Sequence, residues 1–337
     1  MRPSIVPRLV NDPFGDPGLY LRFVFENRAV LFDAGDIQSL SNRDLLKLSH
    51  IFITHAHMDH FVGFDPVLRC FLGRDKQLTV VGPPGFCAHL EGKLAAYEWN
   101  LVDRFTHAFT LVALEVHPNR ILSKTYACGE RFAPTAPVVI SRRQRHLVCQ
   151  PAFTVKGDLL EHGIPCLGLC IQEPFHVNIM KNALADLNLS PGPWLQHFKT
   201  ALFEQQPPDT RLRFTCAGRS YQFRLGDLAE KIACISPGQK ITYITDTVFH
   251  PGNIRRIVAL ARKADHLFIE AHFRNGHSAL AAEKHHLTAG QAGRIAGLAG
   301  VKRFTLFHFS PRYIGQEKEI QQEAQEGFLS AGGARAG

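Results

Sequence analysis

"ITYITDTVFHPGNIRRIVALARKADHLFIEAHF", residues 241–273, reads as strand, helix, strand. Residues 241–245 and 266–270 are short apolar runs rich in β-branched side chains. Between them Ile254, Ile257, Val258 and Ala261 recur at helical spacing, with Asn253 as the candidate N-cap. The pattern repeats downstream. "LTAGQAGRIAGLAG" (287–300) opens on Thr288 and Gln291, a T-x-x-Q capping box. It carries Ala292, Ile295, Ala296 and Ala299 as a buried stripe and stops at Gly300. "RFTLFH" (303–308) is the next strand. Strand–helix–strand–helix–strand predicts a layered α/β core.

Each of these strands ends on a polar residue. Asp246 follows 241–245, Glu270 ends 266–270 and His308 ends 303–308. Towards the N-terminus, "HIFIT" (50–54) runs directly into His55, and "LTVVGPPG" (78–85) is a strand followed by a turn. "LYLRFVFENRAVLFDAGD" (19–36) alternates on both sides of "ENR" and predicts a hairpin, with Leu21, Phe23 and Phe25 on one face. Ligands of α/β sheets collect beyond the carboxyl ends of strands. Four such ends, each delivering a ligand or proton carrier, predict one site assembled from distant sequence.

The N-terminal end of that site is "ITHAHMDHF" (53–61), three histidines and an aspartate within six positions. Histidines at i and i+2 point the same way only on extended backbone, so the motif needs a loop. Asp59 and His60, being adjacent, point to different places. Two metals answer this pattern, with His55 and His57 on one and Asp59 and His60 on the other. Such pairs lie roughly 3.5–4 Å apart and share a bridging water. Further ligands are on offer in His162 of "LEHGIPCLG", in Asp246 of "ITDT", a carboxylate able to bridge both ions, and in His308 of "LFHFSPRY".

The 337 residues suffice for one large α/β domain or two smaller ones. No apolar run approaches the roughly 18 residues of a membrane helix. The opening "MRPSIVPRLVNDPFGDPG" lacks the apolar region of a secretory signal. Eight scattered cysteines without a C-x-x-C pair read as buried reduced thiols of a cytosolic protein. A net charge of +8 fits a polyanionic partner, and fits equally a basic enzyme without one. Residues 86–160 hold mixed β-type segments and the basic run "SRRQRH" (141–146). Residues 172–225, rich in Pro, Gln, Asn and Lys, read as an excursion from the core with one or two short helices.

"THAHMDH" resembles the T-H-x-H-x-D-H signature of the metallo-β-lactamase superfamily. "LEHGIPCLG", "SPGPW", "ITDT", "IEAHF", "HLTAGQAGRIA" and "HFSPRY" resemble, in order and approximate spacing, the ribonuclease Z family, endonucleases that mature tRNA 3′ ends. The resemblance covers nearly the whole chain and is strongest over 240–313. It implies an αββα four-layer sandwich spanning 1–337, two Zn²⁺ ions, a homodimer and a cytoplasmic tRNA precursor as substrate. Mn²⁺ would also suit the ligand set. It places His55, His57 and His162 on one zinc and Asp59, His60 and His308 on the other, with Asp246 between them.

The same likeness, together with the chemistry, gives the remaining roles. A hydroxide shared by the metals attacks phosphorus, and Asp59 orients it or takes its proton. Glu270 and His286 supply a proton to the leaving ribose 3′-oxygen; the family register selects His286 over its neighbour His285. Thr288, Ser310 and Arg312 are candidates for gripping phosphate. Segment 172–225 matches in position the family's flexible arm for the tRNA elbow.

Three departures touch substrate reading. "RLVNDPFGDPGLYL" replaces the P-x-K-x-R-N loop and lacks its Lys and Arg. "HMDHFVGFDPVLR" replaces a glycine-rich version, and His272 stands where Thr is common. They bear on the exact RNA and the handling of a CCA end, and the altered N-terminal loop favours an alternative substrate class, small phosphodiesters or other esters.

Overall fold

The computed structural model describes residues 4–142 and 144–332; Arg143 of the basic run and the first three residues of the opening segment lie outside. The chain divides into two compact units. The larger, among the described residues 5–142, 144–147, 156–170 and 241–332, contains the sheets that carry the site. An eight-stranded sheet runs in sequence order from Ile5–Leu9 to Val138–Ser141. A six-stranded sheet is ordered Phe304–Phe307, His266–Glu270, Lys240–Ile244, Pro165–Gln172, Thr154–Glu161, His146–Cys149.

Apolar side chains explain the layering. Helices Phe64–Phe71 and Phe86–Ala95 bury Phe64, Val67, Leu68, Phe71, Phe86, Leu90 and Leu94 in the core beside the eight-stranded sheet. Helices Pro251–Ala261, Ala289–Ala299 and Glu317–Ser330 bury Ile257, Leu260, Ile295, Ile320 and Phe328 beside the other. Between the sheets aromatic rings interlock: Phe32 meets Tyr243 at 5.9 Å, and Tyr243 meets Phe307 at 5.0 Å. This is an αββα sandwich.

The hairpin forms between Leu19–Phe23 and Ala29–Phe32. Leu21 and Phe23 are buried, but Phe25 lies in the connection and is 45% exposed. The parallel strands after 240 pair as Ile241↔His266 and Leu267↔Phe304. The helix between the first two begins earlier than expected. Its N-cap is His250, whose Nδ1 accepts from Gly252 N, and Asn253 is buried for another purpose. The Thr288–Gln291 capping box has both its bonds, and Gly300 closes that helix at φ 60°. Helices Ala289–Ala299 and Glu317–Ser330 touch backbone to backbone. A Cβ at Gly293 would strike the Ala324 carbonyl, and one at Gly327 the Gly290 carbonyl. Helix Phe86–Ala95 was not legible in the mixed pattern of 86–160. All eight cysteines are free, yet only five are buried; Cys70 is half-buried, and Cys149 and Cys234 are exposed.

The smaller unit comprises Ser4, Val148–Val155 and Ile171–Lys240. It holds helices Lys181–Asp186, Trp194–Phe203 and Leu225–Ile232, with strands Phe175–Ile179 and Ala233–Pro237 paired, and a hairpin of Arg211–Cys216 with Arg219–Arg224. Its centre is aromatic: Trp194 lies flat on Phe214, centroids 4.2 Å apart and planes 5° apart, and Tyr221 and Phe223 stack alongside. The paired strands were not expected here, because their alternation is half-buried and interrupted by polar residues.

Candidate metal centre

Parallel strands Ala29–Phe32, Leu48–Phe52 and Lys76–Gly82 stop together, and the motif loop starts where the middle one ends. Asp33 turns the first strand's exit with φ 57° and is completely buried. Its Oδ1 accepts from Thr54 N (2.7 Å). Its Oδ2 accepts from Thr54 Oγ1 (2.9 Å), His60 Nδ1 (2.9 Å) and Tyr243 Oη (3.1 Å). One buried carboxylate thus fixes both ends of residues 54–60. His60 spends Nδ1 on Asp33, leaving Nε2 to face the site. The short helix Met58–Phe61 separates Asp59 from the two preceding histidines.

Seven expected ligands converge in two groups. His55, His57, His162 and Asp246 have potential ligand atoms within 4.8 Å of one another, as do Asp59, His60 and His308. Asp246 Oδ2 lies 3.6 Å from Nε2 of His55, 3.4 Å from Nε2 of His162 and 3.6 Å from Nε2 of His60. Asp59 Oδ2 lies 3.4 Å from His60 Nε2 and 3.3 Å from His308 Nε2. These separations exceed a good hydrogen bond. They match the edge of a tetrahedron of ligands, about 3.4 Å for donors about 2.1 Å from a shared cation. His60 Nε2 is buried without a hydrogen bond. His162 Nδ1 donates to the His285 carbonyl at 2.8 Å, and the positive φ of His285 turns that carbonyl inward. The donor set and its spacing therefore fit divalent metal.

Charge supports the same conclusion. Burial, and the neighbouring His60, push His55 down to about 2, so its ring is neutral. Burial opposes charge on His60, but Asp33 and Asp246 overcome it and raise it well above the usual histidine range. Against the same penalty Asp246 raises His308 to about 10. Asp59 is held well below the ordinary carboxylate range: burial works against its charge, and the neighbouring His308 and His60 rings outweigh it. Asp33, Asp59 and Asp246 together demand positive charge here, and protons on two histidines supply it until a metal displaces them.

At the edge of these groups His286 Nδ1 lies 3.0 Å from Glu270 Oε2, and Glu270 is wholly buried. Glu270 raises His286 against the opposing effect of burial. His285 makes no such contact; its carbonyl serves His162. His272, pushed down to about 4 by burial and by His286 and His308, stacks on His286. The three expected phosphate contacts differ. Arg312 is exposed, its guanidinium 5.6 Å from the Phe273 ring centre. Ser310 is buried, its N–H given to the His272 carbonyl. Thr288 is committed to its helix: its hydroxyl accepts from Gln291 N and its N–H donates to Gln291 Oε1. Ala289 N and Gly290 N go to Phe273 O and Asn275 Oδ1, so this helix start is already satisfied.

Three supporting residues escaped the sequence reading. Asp33 ends the strand in "LFDAGD" as Glu270 ends "HLFIE", so the strand-end rule would have found it. Tyr243 carried no such signal. Asn253 donates through Nδ2 to Glu161 O, Thr247 Oγ1 and Val248 O, joining the Asp246 loop to the strand that delivers His162.

The fold and these paired clusters define a class, the metal-dependent hydrolases of metallo-β-lactamase fold. The Beta-lactamase superfamily domain model matches residues 28–145. Among solved structures, the metallo-beta-lactamase fold protein YhfI from Bacillus subtilis superimposes with TM-score 0.56 at 15% identity, covering 96% of this chain and 94% of that one. Human tRNase Z, short form, superimposes at 0.51 and 20% identity, covering 92% and 93%. Relatives named Ribonuclease Z are 30% identical in Lactiplantibacillus plantarum, over 93% of this chain and 90% of theirs, and 31% identical in Thermobifida fusca, over 90% and 80%. The chain belongs to the ribonuclease Z family.

Proposed function

We propose that this chain is a two-zinc endoribonuclease that hydrolyses a phosphodiester near the 3′ end of tRNA precursors. The observation that carries the reading is the convergence of the two His/Asp groups with the Glu270–His286 pair at their edge. His55, His57 and His162 hold one cation, Asp59, His60 and His308 the other, and Asp246 lies between them. Bound there, divalent cations would supply Lewis acidity towards phosphoryl oxygens and make a nearby water more acidic. Asp59, whose side chain is 41% exposed, accepts a hydrogen bond from the attacking water and orients it. His286 protonates the departing ribose 3′-oxygen from Nε2, because Glu270 occupies Nδ1 and fixes the ring's tautomer.

Arg312 contacts a flanking phosphate, with Ser310 shaping its turn and Thr288 anchoring the helix behind His286. Segment 172–225, which lies in the smaller unit, serves as an RNA-binding arm. In its hairpin Arg211 pairs with Arg224 and Arg213 with Gln222, so three arginines share the face opposite Leu212, Phe214, Tyr221 and Phe223. A homodimer and a cytoplasmic location accompany this reading; no helix among the described residues is long and apolar enough to cross a membrane.

The test is to map the products of a 3′-extended tRNA and to measure metal on the same preparation. The expected result is one cut that leaves a 3′-hydroxyl on the tRNA, with two zinc equivalents per chain. Turnover of bis-(p-nitrophenyl) phosphate with the tRNA left intact would assign the site to small phosphodiesters.

A further inference from the structure

His272 has no part in the scheme so far, yet it lies inside the site. After strand His266–Glu270 the chain stays extended: Ala271 N donates to Phe307 O at 3.0 Å and Phe273 N to Leu287 O at 3.1 Å. Extended backbone sends alternate side chains the same way, so His272 emerges on the same side as Glu270. Two contacts then fix its ring. Its Nδ1 lies 3.0 Å from the carbonyl oxygen of His308. A carbonyl only accepts, so that nitrogen carries the proton. The ring also lies flat on His286, centroids 4.2 Å apart and planes 14° apart.

His286 is held at its edge by Glu270, with the rings of His162 and Phe273 inclined beside it at 5.0 and 6.1 Å. His272 lies flat against its face, where inclined rings leave room to tilt about the axis of that hydrogen bond. The ring of His272 blocks the tilt, and its tether ties the pair to the turn that bears His308. A different use, as a ligand in a third cation site with Glu270 and His286, fits poorly although their donor atoms crowd within 4.8 Å. Lone pairs of stacked parallel rings run side by side and do not converge on one ion, and Nδ1 of each ring is already engaged.

We propose that His272 is a positioning residue that locks the plane of the His286 imidazole and registers it against the His308 turn, so that its proton is delivered to the leaving oxygen. This rests on the reading of His286 as proton donor. The chemistry supplies a readout that general damage would not move. A p-nitrophenolate departs without a proton, whereas an unsubstituted phenolate gains from one.

The experiment measures kcat and KM of the zinc-loaded enzyme on two phosphodiesters differing only in that leaving group, with bound zinc determined for each variant. His272→Thr removes both face and tether, and the phenyl-to-nitrophenyl ratio of kcat is expected to fall about tenfold, part of the 10²–10⁴ of general acid catalysis. His272→Phe keeps the flat face and should recover most of that ratio. KM and zinc content stay as in the parent. An unchanged ratio, an equal loss on both esters, or loss of a zinc equivalent on removing His272 would each overturn the proposal, the last by making it a ligand. His286→Ala separates the two ideas. If it leaves the ratio intact, the donor assignment fails and this inference falls with it. If it lowers the ratio and His272→Thr does not, only this inference falls.

Discussion

The strand ends of the larger unit and the segment 171–240 solve opposite problems. At the strand ends Asp33, His55, His60, Asp246 and Glu270 are all buried. Such a gathering of ionisable groups is costly unless every charge is answered. The smaller unit gathers Arg211, Arg213 and Arg224 on one face of its hairpin and fills its interior with Trp194, Phe198, Leu228 and Ile232. One region depends on what it binds. The other depends on how its own rings pack.

The largest expected effect breaks the first region. Asp246 faces His55, His60, His162 and His308, so Asp246→Ala removes the group common to both clusters. Zinc content should fall below two equivalents and turnover by several orders of magnitude, as read by metal analysis and ester hydrolysis; a variant with full metal and full rate would end the assignment. The next effect breaks the second region and leaves the first intact. Trp194 is 4% exposed and stacked on Phe214, so Trp194→Ala should destabilise the smaller unit by about 3–5 kcal/mol. Zinc content and small-ester turnover should persist while tRNA affinity drops, as a filter-binding titration would show. If ester turnover fell in parallel, the division of labour would be wrong.

The smallest effect concerns two buried histidines that lie near arginines. His50 and His266 are both lowered to about 4, first by burial and then by Arg28 and Arg303 respectively. The unfolded chain binds their protons more readily. Their stabilisation is therefore complete above about pH 6.5 and is lost as pH falls towards 4, roughly 2 kcal/mol each between pH 7 and 5. Denaturant titrations of the metal-free protein should show this loss, and His266→Gln should remove about half of it.

The same contrast explains what could be read from the chain. Site residues at strand ends announce themselves, because a buried apolar run that stops on His, Asp or Glu has few reasons to do so; His55, Asp246, Glu270 and His308 were visible in this way. His162 sat at the end of a less regular strand and was found by its neighbours in "LEHGIPCLG". Asn253 looked like a cap because Asn often is one, and only the fold shows its amide bonded to Glu161 and Thr247. The hairpin 211–224 was hidden because its alternation of Arg with aromatic residues resembles a polar loop when no sheet partner is in view. His272 was noticed only as a departure from a family pattern. Its meaning lies in a stack on a residue fourteen positions away.

The close passage of the last two helices has a consequence for the reaction itself. Glu323 accepts from Arg274 Nε and from Asn275 N, and Asn275 in turn accepts from Gly290 N, four residues beyond His286. Gly293 and Gly327 let the two backbones lie in contact along this line. On the reading of His286 as proton donor, the last helix is the bracket on which that donor is mounted, and a single methyl group added at Gly293 or Gly327 is expected to be felt as a slower bond cleavage.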